Sequence, residues 1–161
     1  MEEQRLLQHA TNTYEAMCRA LTASEMKFER HDEDLTITFG MSGEDLPMDF
    51  VMMVNHKAQV VRLYSRLPME VAEDKRVEIA LATVFVNSKI LNGAFDFDIS
   101  TGRLSFNILT AFHNTTLADK VFVYMLGVAA GTIDRFNDRF LMLAKGMIDF
   151  QKFVELYEAD E

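Results

Sequence analysis

Between residues 35 and 67 the chain reads as three extended runs joined by very short links. Leu35, Ile37, Phe39 and Met41 alternate with Thr36, Thr38 and Gly40, the period-two pattern of a strand with one buried face. Met48 to Val54 is nearly all apolar, which fits a central strand. In the third run, Val60 to Leu67, Val61, Leu63 and Leu67 alternate against Arg62 and Arg66. The links are Ser42-Gly43-Glu44-Asp45 and Asn55-His56-Lys57. A parallel crossover needs roughly a dozen residues or more, so short links favour antiparallel neighbours.

Helical spacing flanks this block. Over residues 2–21, Leu6, Leu7, Ala10, Tyr14, Met17, Cys18 and Leu21 recur on one face, with Gln8, Asn12, Glu15 and Arg19 opposite. Pro68 is expected to end the third strand, and a helix is predicted from about Ala72 to Leu91. Glu73 and Asp74 suit its first turn, where the helix dipole favours negative charge. Asn92-Gly93 supplies a stop. This helix is apolar on more than one face: Val77, Ala80, Leu81 and Val84 form one stripe, with Ile79, Phe85, Val86 and Ile90 around it. Such a helix is covered on two sides. The sheet is one cover; another helix or a second subunit is the other. Next, Phe95, Phe97 and Ile99 alternate with Asp96 and Asp98, and Leu104, Phe106 and Ile108 with Ser105 and Asn107. The turn Ser100-Thr101-Gly102-Arg103 joins them into a β-hairpin. A further helix is predicted from Leu117 to about Lys145, with Thr115 or Thr116 as its cap and Gly146 as its stop. Met147 to Tyr157 fits a last short helix, and the acidic end, 155–161, is expected to fray.

The expected fold is a single α+β domain over residues 1–161. It has two layers, an antiparallel five-stranded sheet with helices packed on it, in the order α-β-β-β-α-β-β-α. The chain carries 25 acidic and 16 basic residues, a formal charge of −9. That balance argues against nucleic acid, which needs a basic face, and against anionic lipid. Apolar residues make up 49% of the chain, enough to exclude wholesale disorder. The start, Met1-Glu2-Glu3-Gln4-Arg5, lacks the basic and apolar runs of a signal peptide, so a cytoplasmic location is expected. The longest apolar stretch, Val121 to Ile133, reaches about 20 Å as a helix, short of the ~30 Å hydrocarbon core.

Three segments carry a resemblance. Arg66-Leu67-Pro68, Asp74-Lys75-Arg76 and Asn87 form the first. The run from Gly93 through Phe106 is the second, and Ile133-Asp134-Arg135-Phe136 with Leu143 and Gly146 the third. Over residues 60–147 the sequence resembles the bacterial YbjN-like family, labelled sensory transduction regulators, which shares the fold of type III secretion chaperones. It departs from the family pattern at Ala72 and near Asn137-Asp138, where the family often has Pro. The resemblance implies a protein without catalytic activity that binds other proteins, commonly as a dimer.

The residue chemistry agrees in naming no catalytic, cofactor or metal set. Asp96-Phe97-Asp98-Ile99-Ser100 approaches an aspartyl-phosphatase pattern, yet the alternation places both Asp on a solvated strand face. His31-Asp32-Glu33-Asp34 reads as an acidic loop rather than a metal site. Cys18 sits on the apolar stripe of the first helix and is expected to be buried and inert. Methionine is the unusual component, with 11 residues. Met48, Phe50, Met52 and Val54 share one strand face, Val51 and Met53 the other. Met suits either core filling or an adaptable partner groove. Met52, Phe85 and Phe122 are the candidate protein-binding residues, with an unidentified protein and a second copy of the chain as partners. Two rival functions stand beside this one. The first is a secretion chaperone that holds an effector. The second is an enzyme or small-molecule sensor with Asp96, Asp98 and His113 lining a pocket between sheet and helices.

Overall fold

The computed structural model describes residues 1–161. The chain opens with α1 (Glu2–Ala23), then β1 (Glu29–His31), β2 (Thr36–Ser42), β3 (Pro47–Asn55) and β4 (Val60–Glu70). After α2 (Arg76–Asn87) come β5 (Ala94–Asp98) and β6 (Arg103–Ala111), and the chain closes with α3 (Asp119–Ala144) and α4 (Phe150–Ala159). All strand pairs are antiparallel and form one sheet in the order β1-β2-β3-β4-β6-β5. The architecture is α+β, as expected.

The sheet has six strands rather than five. The extra strand, β1, is three residues long and largely exposed, too short for any alternation to mark it. Side chains hold it instead. Arg30 donates to Glu15 of α1 and, at 2.8 Å, to Asp32. The Tyr14 hydroxyl donates to the same Asp32 carboxylate at 2.9 Å and to the Thr36 carbonyl at 3.2 Å. Burial, then the Asp32 hydrogen bond, pushes the Tyr14 phenol up. The Arg30 guanidinium, then Tyr14, holds Asp32 below the usual carboxylate range.

Pro68 does not end its strand; β4 runs on to Glu70. The β3–β4 ladder stops at Val51–Tyr64, and the register with β6 shifts between Arg66 and Glu70. Pro68 therefore sits where no neighbour needs an N–H, at a bulge. The second helix is also shorter than expected. A single 3-10 turn, Glu73–Lys75, precedes it, and it ends at Asn87. Asn87 stops it by turning to β5, donating to the Phe95 carbonyl at 2.9 Å and accepting from the Phe95 N–H at 2.8 Å.

The third helix begins at Asp119, and no side chain caps it. Neither Thr115 nor Thr116 is the cap: the Thr115 carbonyl is tied to His9 Nε2 at 2.9 Å, and Asn114 takes a positive φ of 50°. Gly146 ends the helix as expected, with φ of 71° and the Met147 N–H donating to the Met142 carbonyl at 2.9 Å. The acidic end does not fray at residue 155. It is helical to Ala159, because Tyr157 is buried against Phe85 and Phe136, while Arg139 and Arg135 pair with Asp160 and Glu161.

α1, α2 and α3 pack on one face of the sheet, and α4 packs against α2 and α3. Ile37, Phe50, Met52, Leu63, Phe106 and Ile108 point into the shared core. Thr38, Val51, Met53, Arg62, Tyr64 and Asn107 stand on the opposite face, which no helix covers.

Candidate protein-binding surface

The structure buries two of the three sequence-derived contact residues and half-covers the third. Met52 is 0% exposed, between Ile37 and Leu63 of the neighbouring strands. Phe122 is 0% exposed on the core side of α3. Phe85 is half-covered by α4: its ring meets Tyr157 edge-on at 5.4 Å and Phe150 at 6.5 Å. The helix that hides Phe85 is the second cover that the all-round apolar pattern of α2 called for.

One side of α2 remains uncovered. Ile79, Ala82, Thr83 and Val86 are buried beneath it. Diametrically opposite, Val77, Leu81 and Val84 are 64%, 49% and 70% exposed. Their i, i+4, i+7 spacing makes them a ridge on one face. Scattered exposed apolar residues are ordinary, but here three are aligned along one face of one helix. Glu73 and Asp74 lie at the N-terminal end of the ridge and Lys89 beyond its C-terminal end. The sequence contained this signal: the stripe is visible, and only its orientation was missing.

The open sheet face carries a polar relay. Arg62 donates to Asn107 Oδ1, with its guanidinium 5.2 Å from the Tyr64 ring centre, and Asn107 in turn donates to Asp96. Asn107 is buried even on this face. The relay fixes the side chains of three adjacent strands in one row.

The groups of the pocket reading do not converge. Asp96 belongs to this relay, and Asp98 closes the β5–β6 turn. His113 lies past the far end of β6, beside Glu2, Arg5 and Gln59. Asp98 pairs with Arg103 at the start of β6, so roughly 30 Å of strand separates it from His113. The acidic loop does not gather either: His31 bonds Thr38 at 3.0 Å while Asp32 serves Arg30 and Tyr14. No three His, Cys, Asp or Glu side chains form a metal-holding group, and no helix is long and apolar enough to cross a membrane. Cys18 is buried, and burial pushes its thiol up, away from the reactive thiolate.

Asp98 has a structural role of its own. It accepts from the Ser100 hydroxyl and from the Ser100 and Thr101 N–H groups at 2.9 and 3.3 Å. These bonds lower its pKa to about 2. A carboxylate with a depressed folded pKa adds stability above its unfolded value, about 3.9, and loses it as pH falls towards 2. Asp98→Asn is therefore expected to be less stable than the natural chain at pH 7. That difference should shrink on titration from about pH 4.5 to pH 2. Urea unfolding across that range checks it; a difference that stays constant would remove Asp98 as the cause.

No protein-family model matches the sequence, and neither does any curated protein. Solved structures do match the fold. One is YbjN of E. coli, named as a candidate transcription regulator, with a TM-score of 0.56 at 12% identity over 78% of this chain and 92% of that one. The fold is YbjN-like. A chain of the ExsC–ExsE complex aligns with a TM-score of 0.51 at 9% identity, over 80% of this chain and 93% of that one. A chain of the HopA1–SchA chaperone–effector complex aligns at 0.54 and 12% identity, over 80% and 94%. The fold is thus also type III chaperone-like.

Proposed function

We propose that this protein is a cytoplasmic binding protein without catalytic activity, regulatory or chaperone-like, that pairs with a second copy through the outer ridge of α2. The observation that carries the reading is the aligned exposure of Val77, Leu81 and Val84 on a helix whose other sides are covered. Fold likeness to YbjN and to a chaperone–effector complex supports protein partners over small-molecule chemistry. The separation of Asp98 from His113 speaks against a shared catalytic pocket.

The ridge is self-complementary. In an antiparallel pairing of two α2 helices, Val77 meets the second copy's Val84 and Leu81 lies at the centre. The acidic turn at Glu73 and Asp74 then faces the second copy's Lys89, and the helix dipoles oppose favourably. Met52 and Phe122 shape this body from within, and Phe85 seats α4 beside the ridge; the contact itself falls to the three aligned side chains.

Leu81→Asp tests this. Sedimentation of the natural chain at micromolar concentration is expected to give a dimer, and the variant a monomer with unchanged circular dichroism. Burying an unpaired carboxylate at the centre should weaken pairing by about a hundredfold or more. A monomeric natural chain, or a dimeric variant, would sink the reading. A second reading, a chaperone for a secreted effector, is favoured by likeness to the HopA1–SchA complex. Its mark is one-to-two stoichiometry with an unfolded client segment.

A further inference from the structure

β5 is the last strand of the sheet, so one of its edges has no neighbouring strand. In an antiparallel ladder, successive residues turn their N–H and C=O alternately towards the neighbour and away from it. Phe95 uses both groups on Asn87 and not on β6, so Phe95, Phe97 and Ile99, just past the strand, form the outward row. Such a row is a template for a further strand, and exposed edges are where chains add to one another. The residues of this row are all apolar, and Ile99 is 55% exposed. Paired antiparallel on itself about Phe97, the row would set Phe95 against the second copy's Ile99, a self-complementary contact with twofold symmetry.

α2 closes this row at two points. From its last residue, Asn87 donates to the Phe95 carbonyl at 2.9 Å and accepts from the Phe95 N–H at 2.8 Å. A side-chain amide carries a donor and an acceptor like a peptide unit, so Asn87 fills the place that a residue of an added strand would take. From its first residue, Arg76 donates to the Ile99 carbonyl at 3.2 Å and to the Ser100 carbonyl at 2.9 Å. The spacing allows both contacts at once. From Arg76 to Asn87 the helix rises about 16 Å, and from Phe95 to Ile99 extended chain covers about 13 Å in the opposite direction. Phe97 alone is left between the two closures.

We propose that α2 guards the edge of β5, and that the Asn87 amide keeps the β5 strand of a second copy from adding there. The inference rests on the sheet edge and these hydrogen bonds, not on ridge pairing. It names the surface that is closed to a second copy, whichever surface is open to one.

The test uses the full chain carrying Leu81→Asp, which sets a charge at the centre of the ridge, and adds either Asn87→Ala or Asn87→Ser. Both withdraw the amide from Phe95; Ala favours the helix, and Ser is polar but too short to span both groups. Sedimentation reads the assembly, and amide hydrogen exchange reads where it forms. Each added substitution is expected to tighten self-association at least about tenfold over Leu81→Asp alone, with exchange of the Phe97 amide slowing as concentration rises. Unchanged association with native circular dichroism would overturn the proposal. Association that leaves the Phe97 amide exchanging as before would overturn it as well, because the contact would lie elsewhere. Loss of native circular dichroism in both variants would also overturn it, since the amide would then hold the fold and not guard an edge. Failure of the ridge reading shows separately, as a monomeric natural chain, and leaves this comparison intact.

Discussion

Gly102→Val is expected to destabilise the fold by about 4 kcal/mol, enough to leave a domain of ordinary stability marginal. Gly102 has a φ of 75°, a region that a β-branched residue enters only under strain. A Cβ there would also overlap the carbonyl oxygen of Val71, which is backbone and cannot swing away. The same site is tied from both sides. The Val71 N–H donates to the Gly102 carbonyl at 2.8 Å, and the Gly102 N–H to the Asp98 carbonyl at 2.7 Å. Arg76 then bonds the carbonyls of Val71, Ile99 and Ser100 at 3.0, 3.2 and 2.9 Å. Moving the turn therefore disturbs the approach to α2. Urea unfolding at neutral pH measures the loss, and a change below about 1 kcal/mol would mean that the turn relaxes freely.

Phe95→Ala is expected to cost about 4 kcal/mol through lost burial and the cavity left behind. Phe95 is 1% exposed on β5, the last strand of the sheet. Its ring meets Phe106 at 5.1 Å, Phe136 at 6.2 Å and Phe140 at 5.1 Å. One side chain thus joins β5 to β6 and both to α3. Its backbone also stops α2 through Asn87. The melting temperature should fall by roughly 12 °C. Phe97→Ala, on the same strand but only partly buried, should fall by less than half as much; equal losses would show that the strand edge, not the aromatic cluster, carries the stability.

The elements with strong periodicity were legible. β2 and the β5–β6 hairpin follow from alternation, β3 from its short apolar run, and Gly102 and Gly146 end their elements where their freedom of φ is needed. β1 was not legible, because Glu29–His31 has no pattern and is held by Arg30 and Tyr14. The end of β4 was misjudged because Pro68 is costly only opposite a paired neighbour. The burial of Met52 was hidden for a related reason. In a nearly all-apolar strand, Met52 and Met53 look alike, and register alone decides which one faces the core.

By itself the sequence determined the α+β class, the antiparallel pairing of neighbours in the chain and the unusual apolar girth of α2. These depend on periodicity and link length, which are local. Only the tertiary structure decided that β6 lies between β4 and β5, that α4 covers Phe85, and that Val77, Leu81 and Val84 remain outside. Those outcomes depend on which apolar surfaces meet across long stretches of chain, and many faces compete for the same cover.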